Sequence, residues 1–173
     1  MKSLIAYFSR KGDNHVNGEI VYLPVGNTEV AAKKLQALTG ADLYEIRRAE
    51  PYPEDYRSCV QESVKELKAA SRPALAAPLP DVGDYDRVYL GYPNWCGTMP
   101  MPVLTFLAGC DMAGKTICPF CTNEGSGLGR SEEDIRAACP GAKVLPGLAL
   151  RGAAVAQSDG EIQAWLAGPW AAE

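Results

Sequence analysis

The amino-acid sequence predicts an α/β fold with a parallel sheet covered by helices on both faces. Short apolar segments and helical segments alternate five times along the chain, and such alternation is typical of parallel strands joined by helices. The first segment, residues 4–8, is continuously apolar, as in strands buried on both faces. The 173 residues are 47% hydrophobic and 22% charged, which suits one globular domain over residues 1–173.

Two strands and two helices are predicted in the first half of the chain. Asn27 and Thr28 begin a helix and Gly40 ends it, because polar side chains favour helix starts and glycine favours helix ends. A second strand follows at residues 43–46, and a second helix covers about residues 54–70. Two sets of apolar residues at helical spacing are expected to face the core: Val30, Ala31, Leu35 and Leu38, and then Val60, Val64 and Leu67.

The second half of the chain continues the same alternation. Ser131 and Ser158 are each followed three positions later by an acidic residue, and this spacing is typical of a capping box at a helix start. Two helices are therefore predicted to begin there. The strands of this half are predicted at residues 87–90, 116–121 and 144–150, with a helix at 102–107 after the first of them.

The charge of the chain argues against two classes of partner. Its 17 Lys and Arg residues are outnumbered by 21 Asp and Glu residues, which gives a net charge of −4. Proteins that bind nucleic acids or membrane surfaces usually carry a basic excess, so neither partner is expected. No apolar stretch approaches the length that spans a bilayer. The apolar run at residues 4–8 is too short for the core of a secretion signal and no small-residue cleavage site follows it, so no such signal is expected. The six cysteines are too sparse for a disulfide scaffold, so we expect thiols and a cytoplasmic protein.

An insertion at residues 13–25 separates the first strand from the first helix. It contains the dipeptide Asn17-Gly18, which suits the positive φ angles of a type I′ turn, so we predict a small β-hairpin. The only histidine of the chain, His15, lies in this insertion. The sequence leaves two roles open for it, a solvated loop residue or a catalytic group.

Polar residues after the first strand predict an anion site. Ligands of parallel sheets bind beyond the carboxyl ends of the strands, where residues 9–12 precede the helix start at residues 26–28. Hydroxyls, an amide and backbone N–H groups at a helix N-terminus suit a phosphate. An ordinary helix cap is the alternative interpretation of the same residues.

Two further loops follow the third and fourth strands. The loop at residues 91–100 holds Trp95 among glycine and proline residues, and an aromatic ring in such a loop offers a flat face to a planar ligand. The alternative is that Trp95 plugs the top of the sheet. The loop at residues 122–129 is rich in glycine and short polar side chains, and its position beyond a strand favours ligand binding over a plain surface loop.

Two segments match known sequence motifs, but neither is expected to have the function of its motif. Residues 109–116 match a Walker A motif, but a helix precedes them and a strand follows, the reverse of the order that the motif needs. Cys118 and Cys121 have C-x-x-C spacing inside a strand, where residues three apart point to opposite faces, so buried unreactive thiols are expected. One histidine and scattered cysteines do not form a zinc site.

Four segments of the chain resemble bacterial flavodoxin-like FMN proteins. They are Tyr7-Phe8-Ser9, Gly26-Asn27-Thr28, the Tyr-Pro-Asn-Trp-x-Gly-Thr-Met-Pro stretch from Tyr92, and the Glu-Gly-Ser-Gly-Leu-Gly stretch from Glu124. The resemblance covers nearly the whole chain in the same order. It implies a flavodoxin-like three-layer sandwich with five parallel strands in order 2-1-3-4-5 and a hairpin insertion after strand 1. It also implies non-covalent FMN at the carboxyl edge of the sheet.

The same resemblance implies which residues hold FMN. The phosphate is expected to contact Ser9, Asn27 and Thr28, with Arg10 in the same loop. The isoalloxazine ring is expected to lie against Pro93, Asn94, Trp95, Gly97 and Thr98. The other edge of the ring and the ribityl chain are expected to be approached by Thr122, Glu124, Gly125 and Gly127.

The chain departs from the family pattern at several places. Arg10 and Lys11 put charge into a phosphate loop that electron-carrier flavodoxins usually build without it, and those carriers are strongly acidic. Cys96 stands where relatives often carry a second tryptophan. Tyr52, between two prolines, lies where a second flavin-covering loop is usual, and it is either the outer stacking partner of the ring or packs on the next helix.

Three classes of function follow from the resemblance. The first is an FMN oxidoreductase of the quinone or flavin reductase type, which takes hydride from NAD(P)H and passes electrons to a small acceptor. The second is a one-electron carrier between protein partners, and the third is a flavin-binding module without turnover. Weak acidity disfavours the carrier, because carriers usually present an acidic rim to a basic partner. An FMN-binding oxidoreductase is therefore favoured, the choice between two-electron and one-electron transfer stays open, and no catalytic residue is assigned.

Overall fold

A parallel sheet at the centre of the molecule confirms the predicted α/β fold. The computed structural model describes residues 1–172. The strands of this sheet run in the order β4-β1-β5-β6, and β7 and β8 both pair with β6 at the far edge. Counted without the hairpin, this is the predicted order 2-1-3-4-5. The strands are β1 (Ser3–Tyr7), β4 (Asp42–Glu45), β5 (Arg87–Pro93), β6 (Thr116–Asn123), β7 (Lys143–Val144) and β8 (Leu148–Arg151).

The last strand is divided into two short pieces, so its prediction as one strand over residues 144–150 is wrong. β7 pairs with the start of β6 and β8 pairs with its end. Pro146 lies between the two pieces, and proline has no N–H group to donate to a sheet. The N–H group of the neighbouring Gly147 instead donates to Glu132 Oε1 at 2.6 Å.

Helices cover both faces of the sheet. One hydrophobic cluster contains Ala31 and Leu35 from α1 together with Ile162 from α5, and the other contains Phe106 from α3 and Ile135 from α4. The helices are α1 (Asn27–Thr39), α2 (Tyr56–Lys68), α3 (Met101–Gly109), α4 (Ser131–Ala138) and α5 (Asp159–Leu166), with short 3-10 helices at Gly152–Gln157 and Pro169–Ala172. None of the described helices is long and apolar enough to cross a membrane.

Cys118 and Cys121 lie on opposite faces of β6, as their spacing predicts. Cys118 belongs to the cluster under α1 and α5, whereas Cys121 belongs to the cluster under α3 and α4. Both are free, and burial raises the pKa of each thiol to about 12. The two side chains are therefore buried thiols that do not converge on one another.

The buried face of α2 agrees only in part with the predicted one, because Val64 and Leu67 are half-buried. Cys59 and Ser63 are buried, whereas Val60 is 38% exposed. Polar contacts set this orientation, because Glu62 and Glu66 both turn inward to bind Arg48. In α1, Leu38 is 42% exposed, so the prediction that it faces the core is also wrong.

The predicted capping boxes at Ser131 and Ser158 do not form. Helices do begin at these positions, but neither serine side chain caps its helix. The hydroxyl of Ser131 donates backward to the Leu128 carbonyl at 2.6 Å, and that of Ser158 donates to the Val155 carbonyl at 2.7 Å. Both serines therefore stabilise the turn before the helix.

The insertion after β1 forms the predicted hairpin. Its strands, β2 (Gly12–Val16) and β3 (Glu19–Leu23), form a separate antiparallel sheet. Asn17 and Gly18 make the turn with φ angles of 50° and 84°, as a type I′ turn requires. The second strand of the hairpin ends at Leu23, shortly before α1 begins at Asn27.

Candidate functional site

A cleft lies beyond the carboxyl ends of β1, β5 and β6. The loops after these strands meet there, at the point where the strand order reverses. The cleft brings together many of the predicted site residues, namely Arg10, Asn27, Thr28, Pro93, Asn94, Trp95, Thr122 and Glu124. It is also lined by His15, whose role the sequence left open, by Asn123 and Ser126 of the predicted loop at residues 122–129, and by Asn14, Tyr56 and Gly152, which the sequence did not indicate.

The start of α1 forms one end of the cleft. The Glu29 N–H donates to Ser9 Oγ at 3.0 Å, and the Val30 N–H donates to the Gly26 carbonyl. The N–H groups of Asn27 and Thr28 are in the first turn and have no acceptor within the helix. Ser9 therefore caps the helix from behind, and the two preceding N–H groups suit an anion in the cleft.

Close packing around Gly26 holds the loop after β1 against α1. A Cβ atom at Gly26 would lie 2.2 Å from Ser9 Oγ and 2.6 Å from the carbonyl oxygen of Arg10. These distances are far shorter than any contact that a side chain tolerates. Glycine is therefore required at this position by the approach of the loop.

Thr28 joins α1 to the centre of the sheet. Its hydroxyl forms a hydrogen bond of 2.8 Å with the hydroxyl of Thr122, and both side chains are buried. Each hydroxyl keeps further hydrogen-bonding capacity, because it has one donor and two acceptor positions. The pair forms the floor of the cleft between the anion end and the loop after β6.

Arg10 ties the hairpin to the segment before α2. Its Nε donates to the Asp13 carbonyl at 3.2 Å and its Nη2 donates to the Glu54 carbonyl at 2.7 Å. The guanidinium therefore closes one side of the cleft while part of it lines the interior.

The loop after β5 contains a tight turn that presents Trp95. Trp95 and Thr98 exchange two backbone hydrogen bonds of 2.8 and 3.1 Å. Cys96 and Gly97, between them, have φ angles of 56° and 82°, which define a type I′ turn. The buried Thr98 hydroxyl donates to Asp134 of α4 and so points away from the cleft.

The loops after β5 and β6 are in direct backbone contact. Asn94 Nδ2 donates to the Gly127 carbonyl at 2.9 Å, and the Arg130 N–H donates to the Gly97 carbonyl at 2.8 Å. A Cβ atom at Gly129 would lie 2.1 Å from the Gly97 oxygen, so only glycine permits this approach. Gly125 and Gly127 likewise have positive φ angles and shape the second loop. The structure gives Gly97, Thr98, Gly125 and Gly127 a part in loop geometry, and their contact with a ligand stays a prediction.

Aromatic side chains hold Trp95 from behind. Its ring meets Phe8 and Tyr52 edge-on, with centroid distances of 5.2 and 5.0 Å. The Tyr52 hydroxyl donates to Glu66 of α2, and the Arg48 guanidinium lies over the Tyr52 ring at 3.7 Å. Burial and then this hydrogen bond raise the pKa of Tyr52. Of its two roles, the structure favours packing on α2, because Tyr52 supports Trp95 and lies outside the cleft lining.

Glu124 presents a buried acceptor to the cleft. Its Oε2 accepts the Asn17 N–H at 3.3 Å and lies 3.8 Å from Nε of Arg151. Its Oε1 is buried and has no hydrogen-bond partner among the described residues. A buried oxygen of this kind needs a donor, and a ligand hydroxyl group supplies one.

The cleft therefore combines three chemical features along its length. Backbone N–H groups at α1 suit an anion, Glu124 suits a hydroxylated chain, and the Trp95 loop suits a planar ring. FMN carries these three groups in that order. The described residues contain no cluster of three potential metal ligands. The residues present thus fit FMN.

Comparison with known proteins points to the same cofactor class. Residues 2–168 match a family model described as flavodoxin. A protein from Bacteroides eggerthii assigned as a flavoprotein has 33% sequence identity and a TM-score of 0.77, with 96% of each chain covered. One from Bacteroides uniformis, assigned in the same way, has 30% identity and a TM-score of 0.76, with 96% of this chain and 98% of that chain covered.

A more distant structure contains the flavin itself. The flavoprotein of Lactobacillus acidophilus was crystallised in complex with FMN. It is 20% identical to this chain and has a TM-score of 0.66, covering 90% of this chain and 97% of that chain. At this identity the similarity concerns the fold. No curated protein matches the sequence.

Proposed function

This chain belongs to the flavodoxin family, and from this premise we propose that it is an oxidoreductase that transfers electrons through FMN, its cofactor. The observation that carries the proposal is the cleft beyond β1, β5 and β6. It offers an anion site, a buried acceptor and an aromatic loop in the order that FMN requires. FMN supplies the redox chemistry, and the protein supplies binding and orientation.

The chain's own residues divide the work of binding. The N–H groups of Asn27 and Thr28 bind the phosphate, and Glu124 Oε1 accepts from a ribityl hydroxyl. The loop holding Trp95 lies against the isoalloxazine ring. Because the phosphate is held mainly by backbone groups, its binding does not depend on the redox state of the ring.

Two-electron exchange with small molecules is the activity that we favour. NAD(P)H is the proposed donor, and a quinone or a second flavin is the proposed acceptor class. The net charge of −4 is small, and Arg10 and Arg151 lie in or beside the cleft. Electron carriers usually present an acidic rim to a basic partner, so a net charge this small disfavours the electron carrier.

A cytoplasmic location is proposed with this function. All six cysteines are free thiols in the structure, as suits a reducing compartment.

The first experiment compares flavins and then reductants. Purified protein is expected to bind one FMN per chain and to bind riboflavin much more weakly, because riboflavin lacks the phosphate. Anaerobic reduction of the bound FMN by NADH or NADPH, followed by reoxidation with a quinone, supports the reductase. Equal affinity for FMN and riboflavin contradicts the phosphate site. Slow reduction by both nucleotides, with a stable half-reduced form under dithionite, favours the carrier instead.

Substitution of Trp95 tests the ring site. Trp95→Ala is expected to weaken FMN binding about 2- to 10-fold and to restore part of the FMN fluorescence, because stacking contributes roughly 0.5–1.5 kcal/mol. The reduction potential of the bound FMN is also expected to shift in Trp95→Ala. Trp95→Phe keeps an aromatic face, so its affinity, fluorescence and potential are expected to lie between those of the wild type and of Trp95→Ala. Trp165→Phe, on α5, is the matched control and leaves all three quantities unchanged. If Trp95→Ala also leaves the affinity, fluorescence and potential unchanged, Trp95 has a structural role and does not contact the ring.

A further inference from the structure

The β2–β3 hairpin reaches across the cleft and is attached on two sides. Near its base, Arg10 Nε donates to the Asp13 carbonyl at 3.2 Å. At its turn, the Asn17 N–H donates to Glu124 Oε2 at 3.3 Å. His15 lies between these two attachments, in β2, and it is part of the cleft lining. The hairpin therefore brings a histidine to the site that the core fold alone does not provide.

The imidazole of His15 is free to bind a ligand. Its described contact is with the ring of Tyr56, at a centroid distance of 6.2 Å and an interplanar angle of 31°. No described residue forms a hydrogen bond or ion pair with its ring nitrogens. The side chain is exposed on the cleft side of the hairpin.

Other polar side chains at this end of the cleft are already engaged. Asn14 Nδ2 donates to the carbonyls of Arg10 and Gly12 at 3.0 and 3.2 Å. Arg10 itself donates to two carbonyl groups, and Ser9 Oγ accepts from the start of α1. Arg10 keeps free N–H groups, but its two bonds hold the guanidinium in place, whereas the His15 imidazole has no hydrogen-bond partner among the described residues.

We propose that His15 binds the phosphate of FMN as a second element of the anion site, added by the hairpin. The inference rests on the proposed FMN function. An imidazolium brings a full positive charge to its hydrogen bond with a phosphate oxygen, and this charge adds to the hydrogen bonds from the uncharged N–H groups of α1. His15 is thus a specificity residue for the phosphorylated form of the flavin.

The charged and titratable groups around His15 come from five elements. Asp13 shares its face of the hairpin, and Tyr22 pairs with Asp13 from β3. Arg10 comes from the loop after β1, Tyr56 comes from α2 and Glu124 comes from the loop after β6. The His15 imidazole therefore lies among two carboxylates, one guanidinium and two phenol groups.

The proposal predicts how FMN affinity depends on pH. Imidazole gains its proton in the physiological range, and phosphate monoesters lose their second proton near pH 6. FMN binding is therefore expected to strengthen about two- to fivefold as pH falls from 8.5 to about 6.5, the range of an exposed ion pair. It weakens again below pH 6 as the phosphate gains its proton. Riboflavin binding has no such maximum.

The test measures the dissociation constants of FMN and riboflavin by fluorescence quenching across this pH range. In His15→Gln, which keeps a donor but carries no charge, FMN affinity is expected to stay flat between pH 8.5 and 6.5. Riboflavin affinity is unchanged. Glu19→Gln, an exposed charge change on the same hairpin, is the matched control and retains the wild-type profile.

Two outcomes overturn the proposal. If His15→Gln keeps the wild-type pH profile, His15 does not bind the phosphate. If it weakens FMN and riboflavin equally, His15 acts on the ring or on the hairpin instead. Failure of the wild-type protein to bind FMN at any pH contradicts the proposed function itself, so the two failures are distinguishable. Circular dichroism of each variant confirms that it is folded.

Discussion

Replacing Gly26 with alanine is expected to weaken FMN binding roughly 10- to 100-fold while the chain still folds. The backbone of Gly26, at φ −67° and ψ 151°, suits any residue, so the effect comes from collision alone. The new Cβ atom would lie 2.6 Å from a backbone carbonyl, that of Arg10. The loop after β1 must move away from α1, and the site loses about one charge-assisted hydrogen bond worth roughly 1.5–3 kcal/mol.

Gly160→Ala is the matched control for this substitution. No atom lies within 4 Å of a Cβ atom at Gly160, which is in the first turn of α5 and distant from the cleft. This variant is expected to bind FMN like the wild type and to be slightly more stable, because alanine favours a helix over glycine. Isothermal titration with FMN and urea unfolding measure both effects. Wild-type FMN affinity in Gly26→Ala would place the phosphate elsewhere.

The layout of the fold follows from local patterns in the sequence. Continuously apolar segments marked the strands buried on both faces, and Gly40 marked the end of α1 with a φ angle of 68°. The Asn17-Gly18 dipeptide located the hairpin, since these residues adopt positive φ angles readily. Each of these features depends on residues adjacent in the chain, so a single sequence is sufficient to predict it.

Features that depend on contacts between distant residues were less predictable. The orientation of α2 is set by the ion pairs of Glu62 and Glu66 with Arg48, which lies outside the helix. The predicted apolar stripe is therefore wrong at Val60, which is exposed. The hydroxyl of Ser131 has partners in both directions, since it also accepts from Tyr92 at 2.8 Å, and this contact competes with helix capping.

The site was predictable where it follows the strands and was missed where it does not. The loops after β1, β5 and β6 reach the cleft because parallel strands end at one edge of the sheet. Asn14 comes from the insertion and Tyr56 from the start of α2, and the approach of both to the cleft depends on tertiary packing. One signal was present, because the insertion that carries His15 interrupts the predicted phosphate loop.

Arg48→Met is expected to lower the free energy of unfolding by about 3 kcal/mol or more. The Arg48 side chain is only 8% exposed, and it bonds Glu66, 11% exposed, at 2.6 Å and Glu62, 36% exposed, at 2.9 Å. Removing one partner of a buried ion pair typically costs about 3–5 kcal/mol, because the remaining charge is left desolvated. The lower end of this energy range applies here, because Glu62 is partly exposed to water.

The substitution of Arg48 is also expected to affect the flavin site, because Arg48 is connected to Trp95 through Tyr52. Arg48 covers the ring of Tyr52, and Tyr52 supports Trp95 edge-on. FMN binding in Arg48→Met is therefore expected to weaken together with stability, whereas affinity for phosphate alone stays the same.

Two further variants distinguish two causes of the lost stability in Arg48→Met, namely the unpaired buried carboxylates and the mere removal of a positive charge. Urea unfolding measures the stability of each variant. Arg136→Met removes an exposed partner of Glu132, and its effect is expected within about 0.5 kcal/mol, as for other surface pairs. Adding Glu62→Gln and Glu66→Gln to Arg48→Met leaves no unpaired charge, so part of the lost stability returns. If Arg48→Met costs no more than Arg136→Met, the network contributes no net stability.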